Sequence, residues 1–103
     1  MQKKIKALLI EDNYDEAQPV VQYLENVGFE VDLSDTAVDG LLKLSTHSYD
    51  ILLLDLSLPD FNGFEVIKQI NNQSVIPIIV LSAHTDLESK VQAFRFGADD
   101  YLC

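Results

Sequence analysis

The chain has 103 residues, 48% of them hydrophobic, which suits a single domain with a real core and excludes a disordered chain. Seventeen acidic residues against seven basic ones give a formal charge of −10, which opposes a nucleic-acid backbone and excludes direct nucleic-acid binding by this chain. No apolar run reaches the roughly eighteen residues of a membrane span, and MQKKIKALLIED lacks a signal-peptide core, so a cytoplasmic protein without membrane attachment is expected; the single Cys103 offers neither a disulfide nor dithiol chemistry.

In chain order, Ile5 to Ile10 (IKALLI) is a short apolar run that reads as a strand, ending in Glu11 and Asp12. Ala17, Val20, Val21, Leu24 and Val27 follow at helical spacing, with Gly28 as the stop. Pro19 falls inside that pattern, so the regular helix is predicted to begin near Pro19 or to have a distorted first turn. FEVDLSD alternates Phe29, Val31 and Leu33 with Glu30, Asp32 and Ser34, as a half-buried edge strand does. Asp35 or Thr36 caps a second helix, which turns Ala37, Leu41, Leu42 and Leu44 inward.

Asp50 then leads into ILLLDL, a strand buried on both faces yet interrupted by Asp55. Gly63 to Ile70 supports a third helix, and the DFNG segment before it reads as an ordinary loop. After a turn at Ser74 to Pro77, Ile78 to Leu81 form another two-sided apolar strand. Asp86 begins a fourth helix with Leu87, Val91 and Phe94 on one stripe, ended by Gly97. DDYLC starts a fifth strand, with Asp99 and Asp100 as a turn feature at its amino end. Alternating strand and helix argue for βαβ units and a parallel sheet with helices on both faces.

Ligands of such sheets bind beyond the carboxyl ends of the strands. Glu11 and Asp12 end the first strand, Asp55 the third and Ser82 the fourth, so three acids and a hydroxyl converge on one edge. Taken alone, the first pair would be a strand end or part of a helix cap, and Ser82 a turn hydroxyl; the convergence is the signal. Three neighbouring carboxylates raise one another's pKa unless a cation is present, and an all-oxygen set suits Mg²⁺ rather than zinc. His47 and His84 read as ordinary surface or packing residues. An aspartate beside Mg²⁺ is a competent nucleophile for an aspartyl-phosphate, with Ser82 placed to donate to a phosphoryl oxygen.

LLIED (8 to 12), LLLDLSLPDFNG (52 to 63), VLSA (80 to 83) and FGADDYL (96 to 102) together closely resemble the receiver domain of two-component response regulators. The resemblance spans almost the whole chain. It implies a flavodoxin-like (CheY-like) three-layer α/β/α fold with a five-stranded parallel sheet in the order 2-1-3-4-5. It also implies Asp55 as phosphoacceptor, Asp12 as direct Mg²⁺ ligand, Glu11 acting through a metal-bound water, and Ser57 ligating by its backbone carbonyl. Ser82 matches the switch hydroxyl, Ala83 the small residue beside it and Tyr101 the switch aromatic; Pro59 and Gly63 match the loop after the phosphorylation site. Ser57 and His84 occupy positions whose side chains tune phosphoryl lifetime. The implied partner is a sensor histidine kinase or phosphotransfer protein, with an effector domain in a longer parent chain.

The family places a lysine and a proline directly after the segment matching DDYLC, then a fifth helix, whereas this chain stops at Cys103. The expectation is a single receiver domain over 1–103, truncated at its C-terminus. The sheet face left by the fifth helix is then covered by a second copy or an exchanged element. Three other readings compete. A degenerate receiver would serve only as an interaction module. A haloacid-dehalogenase-like phosphatase needs a second Asp where Ser57 stands. A flavodoxin needs a Ser, Thr or Gly-rich phosphate loop where this chain has EDNYDE.

Overall fold

The computed structural model describes residues 4–56, 58, 60, 62–73, 75–81, 91, 93 and 95–102. Its elements are β1 (Ile5–Ile10), α1 (Tyr14–Asn26), β2 (Phe29–Ser34), α2 (Ala37–Thr46), β3 (Ile51–Asp55), α3 (Gly63–Gln73), β4 (Ile78–Leu81) and β5 (Asp100–Leu102). The five strands form one sheet in the order β2-β1-β3-β4-β5, every pairing parallel. Leu8 lies opposite Leu52, and Leu52 opposite Ile78, so the three most apolar strands occupy the middle. There β1 and β3 bury side chains on both faces, as their continuous aliphatic runs require.

Side-chain alternation divides the core into two layers. Leu8, Ile10, Leu52, Leu54, Ile78, Val80 and Tyr101 face α2 and α3, meeting Ala37, Val66, Ile67 and Ile70. Ala7, Leu9 and Leu53 face the other way, onto Ala17, with Val20, Val21 and Leu24 of α1 packed around them. Each fully buried leucine or isoleucine contributes about 1.5–3 kcal/mol relative to exposure. On the α1 side, Ile79 and Leu81 are only half-buried and Leu102 is exposed.

Asn13 caps α1, its side chain accepting from the Glu16 amide at 3.1 Å, and Asp15 and Glu16 complement the helix dipole in the first turn. The helix therefore starts at Tyr14 and runs through Pro19, rather than beginning there. Its first turn is closed by the Ala17 amide on the Asn13 carbonyl at 2.9 Å. Proline leaves the Asp15 carbonyl without its amide partner, but both residues are exposed, so water can reach the carbonyl. Gly28 and Gly97 follow helical residues with φ of +103° and +120°, as the sequence anticipates for helix stops.

Thr36 is the cap of α2, its hydroxyl accepting from the Asp39 amide. The inward stripe holds Ala37, Leu41 and Leu44, but Leu42 is 60% exposed. Its place is taken by the buried Gly40, because the helix lies close against Ile10. Near the end of the chain, Val91, Ala93, Arg95 and Phe96 are helical, with Ala93 buried and Val91 turned outward. Leu87, Phe94 and Cys103 lie outside the described residues.

Two aspartates close strand starts in the same way. The Asp50 amide donates to the Lys6 carbonyl while its carboxylate accepts from the Lys6 amide at 2.8 Å. Asp99 does the same with Ile78, both bonds being 2.8 Å, which makes it the structural feature anticipated at the amino end of β5. Replacing Pro19 by Ala is expected to stabilise the domain by about 1–3 kcal/mol, since a helix amide is restored. Urea unfolding should show a higher midpoint at unchanged slope; an unchanged or lower midpoint contradicts this account of α1.

Candidate phosphoacceptor site

Ile10, the last residue of β1, is in register with Leu54 of β3. The next step along each strand brings Glu11 and Asp55 side by side at the carboxyl edge of the sheet, with Asp12 following. One carboxylate oxygen from each of Glu11, Asp12 and Asp55 lies within 4.8 Å of the others. Glu11 is buried, Asp55 half-buried and Asp12 exposed.

Glu11 is fixed at both ends: its amide donates to the Ser34 carbonyl at 2.9 Å, and its carboxylate accepts from the Asn13 amide at 3.0 Å. Burial pushes its pKa up to about 7, with the charges of Asp55 and Asp12 acting in the same direction and the Asn13 amide opposing them. Three oxygen ligands of this kind match a hard divalent cation, and a cation here would offset both the burial and the neighbouring charges that raise the Glu11 pKa.

Leu56 and Gly63, on either side of the stretch after Asp55, lie against each other. The Gly63 amide donates to the Leu56 carbonyl at 3.2 Å, and a Cβ on Gly63 would stand 2.6 Å from the Leu56 Cα. Close backbone approach, not an unusual φ, therefore demands glycine here. Asn62 caps α3, its side chain accepting from the Phe64 amide at 2.8 Å and its carbonyl from the Glu65 and Val66 amides. Asp60 reaches across to α2, accepting from the Ala37 and Val38 amides, both at 2.9 Å. Reading DFNG as an ordinary loop missed this contact, because Asp60 and its partners are 22 and 23 residues apart. No local spacing reveals a pairing of that range.

Tyr101 is buried at 8% exposure in the middle of β5, opposite Val80 and on the α2 and α3 face. It stands two strands from Asp55, since Asp55 pairs with Leu81 and Leu81 with Leu102. Ser57, Pro59, Ser82, Ala83 and His84 lie outside the described residues. His47 is an exposed side chain bonded to Thr46 and stacked obliquely on Tyr49, in keeping with an ordinary packing role.

The family described as response regulator receiver domain matches residues 7–103. This chain belongs to that family. The receiver is 38% identical over 97 residues to response regulator ArlR of Staphylococcus saprophyticus, a match covering 94% of this chain and 44% of that protein. Its ArlR counterpart from Staphylococcus aureus strain Mu50 is also 38% identical, over 95 residues, with 92% and 43% covered. The chain thus spans less than half the length of these relatives. Among solved structures, a two-component response regulator from Clostridium difficile superposes with a TM-score of 0.93 at 29% identity, covering 96% of this chain and 82% of that one. CheY4 of Vibrio cholerae gives 0.90 at 27%, covering 96% and 85%. The flavodoxin-like (CheY-like) fold and the sheet order read from the sequence are those of these relatives.

The raised pKa of Glu11 has a defined consequence for stability. Its carboxyl keeps a proton in the folded, metal-free receiver up to about pH 7, but loses it near the ordinary 4.5 when unfolded. Folding therefore takes up a proton between these values, and the Glu11 contribution falls as pH rises through that window. Glu11→Gln should raise stability more at pH 8 than at pH 5, measured by urea unfolding in a chelator. An equal effect at both pH values contradicts the assignment.

Proposed function

We propose that the chain is a phosphoacceptor switch of a two-component signalling system, taking a phosphoryl group on Asp55. The convergence of Glu11, Asp12 and Asp55 at the carboxyl edge of the sheet carries this reading. An Asp55 oxygen attacks the phosphorus of a phosphohistidine on a sensor histidine kinase or phosphotransfer protein. The P–N bond breaks, imidazole leaves with the electron pair, and Asp55 becomes an acyl phosphate. Mg²⁺ bound by this set would neutralise charge on both the carboxylates and the phosphoryl oxygens.

Within this reading Glu11 and Asp12 would hold the cation with Asp55, and Ser57, by its position in the family motif, would join them through its backbone carbonyl. Ser82 is the hydroxyl that turns toward the new phosphoryl oxygens. Tyr101, buried within β5, is the aromatic that follows it. The product carries about −1.5 to −2 charge where Asp55 carried less, which is enough to bias a two-state surface. The output is a partner or effector domain in the cytoplasm, with transcription regulation as the expected kind. The role is signalling, with self-phosphorylation from small donors and self-dephosphorylation on Asp55 as its own chemistry.

Incubation with Mg²⁺ and a small acyl-phosphate donor, followed by intact-mass analysis, should add one phosphoryl group to the wild type and none to Asp55→Ala. Phosphoryl gain in both places the reaction on another residue. Gain in neither, with Mg²⁺ binding shown separately, favours an interaction module that no longer accepts phosphate.

A further inference from the structure

The N-terminus of α2 is capped from two directions. Thr36 satisfies the Asp39 amide and, through its carbonyl, the Gly40 amide. The two amides ahead of these, Ala37 and Val38, are satisfied by one carboxylate from a different part of the chain, Asp60. Paired bonds from backbone amides to an ionised carboxylate at a helix N-terminus are among the stronger neutral-to-charged contacts available on a protein surface. Asp60 comes five residues after Asp55, in a loop whose base has no slack, because Gly63 sits directly against the Leu56 backbone.

We propose that Asp60 is a positioning residue that couples the state of Asp55 to α2, through its carboxylate clamp on the Ala37 and Val38 amides. The inference rests on the phosphoacceptor reading of Asp55. A phosphoryl group there adds negative charge five residues before Asp60 and bears on the short stretch of chain that joins the two. With Gly63 fixed against Leu56, that effect passes outward to Asp60 and loosens its hold on the helix. Ala37 is also held by its burial in the core, and Lys43, bonded to the Leu33 carbonyl at 2.7 Å, anchors α2 further along, so the response is read at the capped amides themselves. Because coupling between two sites is reciprocal, loss of the clamp must change the affinity of the Asp55 site by the same factor.

The test uses Mg²⁺ with beryllium trifluoride, an equilibrium mimic of the phosphoryl group, on the wild type, Asp60→Ala and Asp60→Asn. Amide hydrogen exchange at residues 37 to 39 and the affinity for the mimic are measured together. In the wild type, mimic binding should speed exchange at these amides by about fivefold or more. Asp60→Ala should abolish that response and shift the affinity by a matching factor. Asp60→Asn, which keeps one acceptor but no charge, should fall between them and decides the matter if Asp60→Ala does not fold.

A merely structural cap predicts something different: faster exchange in the variants with and without the mimic, and unchanged affinity. That result overturns the inference and leaves the phosphoacceptor reading intact. Wild-type binding of the mimic without any change at residues 37 to 39 does the same. No binding of the mimic by the wild type, with the fold intact, overturns both.

Discussion

Mutual repulsion among Glu11, Asp12 and Asp55 is the interaction around which the rest of the structure is arranged. Parallel pairing of β1 with β3 leaves no choice about their proximity, since Ile10 and Leu54 are opposite one another. Unit charges at such separations oppose each other by roughly 1 kcal/mol per pair in bulk water and several-fold more where burial lowers the effective dielectric. At Glu11 burial comes first and these charges act in the same direction, together pushing its pKa up to about 7. A fold that keeps three acids together under these conditions must draw stability from elsewhere.

That stability comes from the strands which deliver the acids. Leu8, Ile10, Leu52 and Leu54 are fully buried beneath α2 and α3, and Leu9 and Leu53 are buried beneath α1. Specific backbone bonds beside the site add to this. Gly63 closes the segment after Asp55, Asn62 starts α3, and Asp60 fastens the loop to α2. Rigid supports of this kind turn a change of charge at one side chain into displacement of a helix, because packed elements shift between discrete arrangements rather than deform smoothly.

Much of this was legible in the sequence because it follows from local pattern. IKALLI and ILLLD announce buried strands by composition, and the alternation of FEVDLS marks the edge strand. The acidic convergence followed once strand ends were identified, since a parallel sheet brings its carboxyl ends to one side. Features set by three-dimensional approach were less accessible. Leu42 fits a helical stripe as well as its neighbours do, yet the close packing of Gly40 on Ile10 rotates it to solvent. Pro19 suggested a later helix start or a distorted first turn, but α1 starts at Tyr14 and solvent exposure lets it carry the proline. Asp60 resembled any turn aspartate until the fold brought it to α2.

The most direct test of the central claim is thermal unfolding with and without Mg²⁺, comparing the wild type with Asp12→Asn. If carboxylate repulsion is the constraint that a divalent cation relieves, Mg²⁺ raises the wild-type midpoint by several degrees. In chelator, Asp12→Asn should unfold at a higher temperature than the wild type and respond less to the metal. An unchanged wild-type midpoint on adding Mg²⁺, or an undiminished response in Asp12→Asn, would contradict the account.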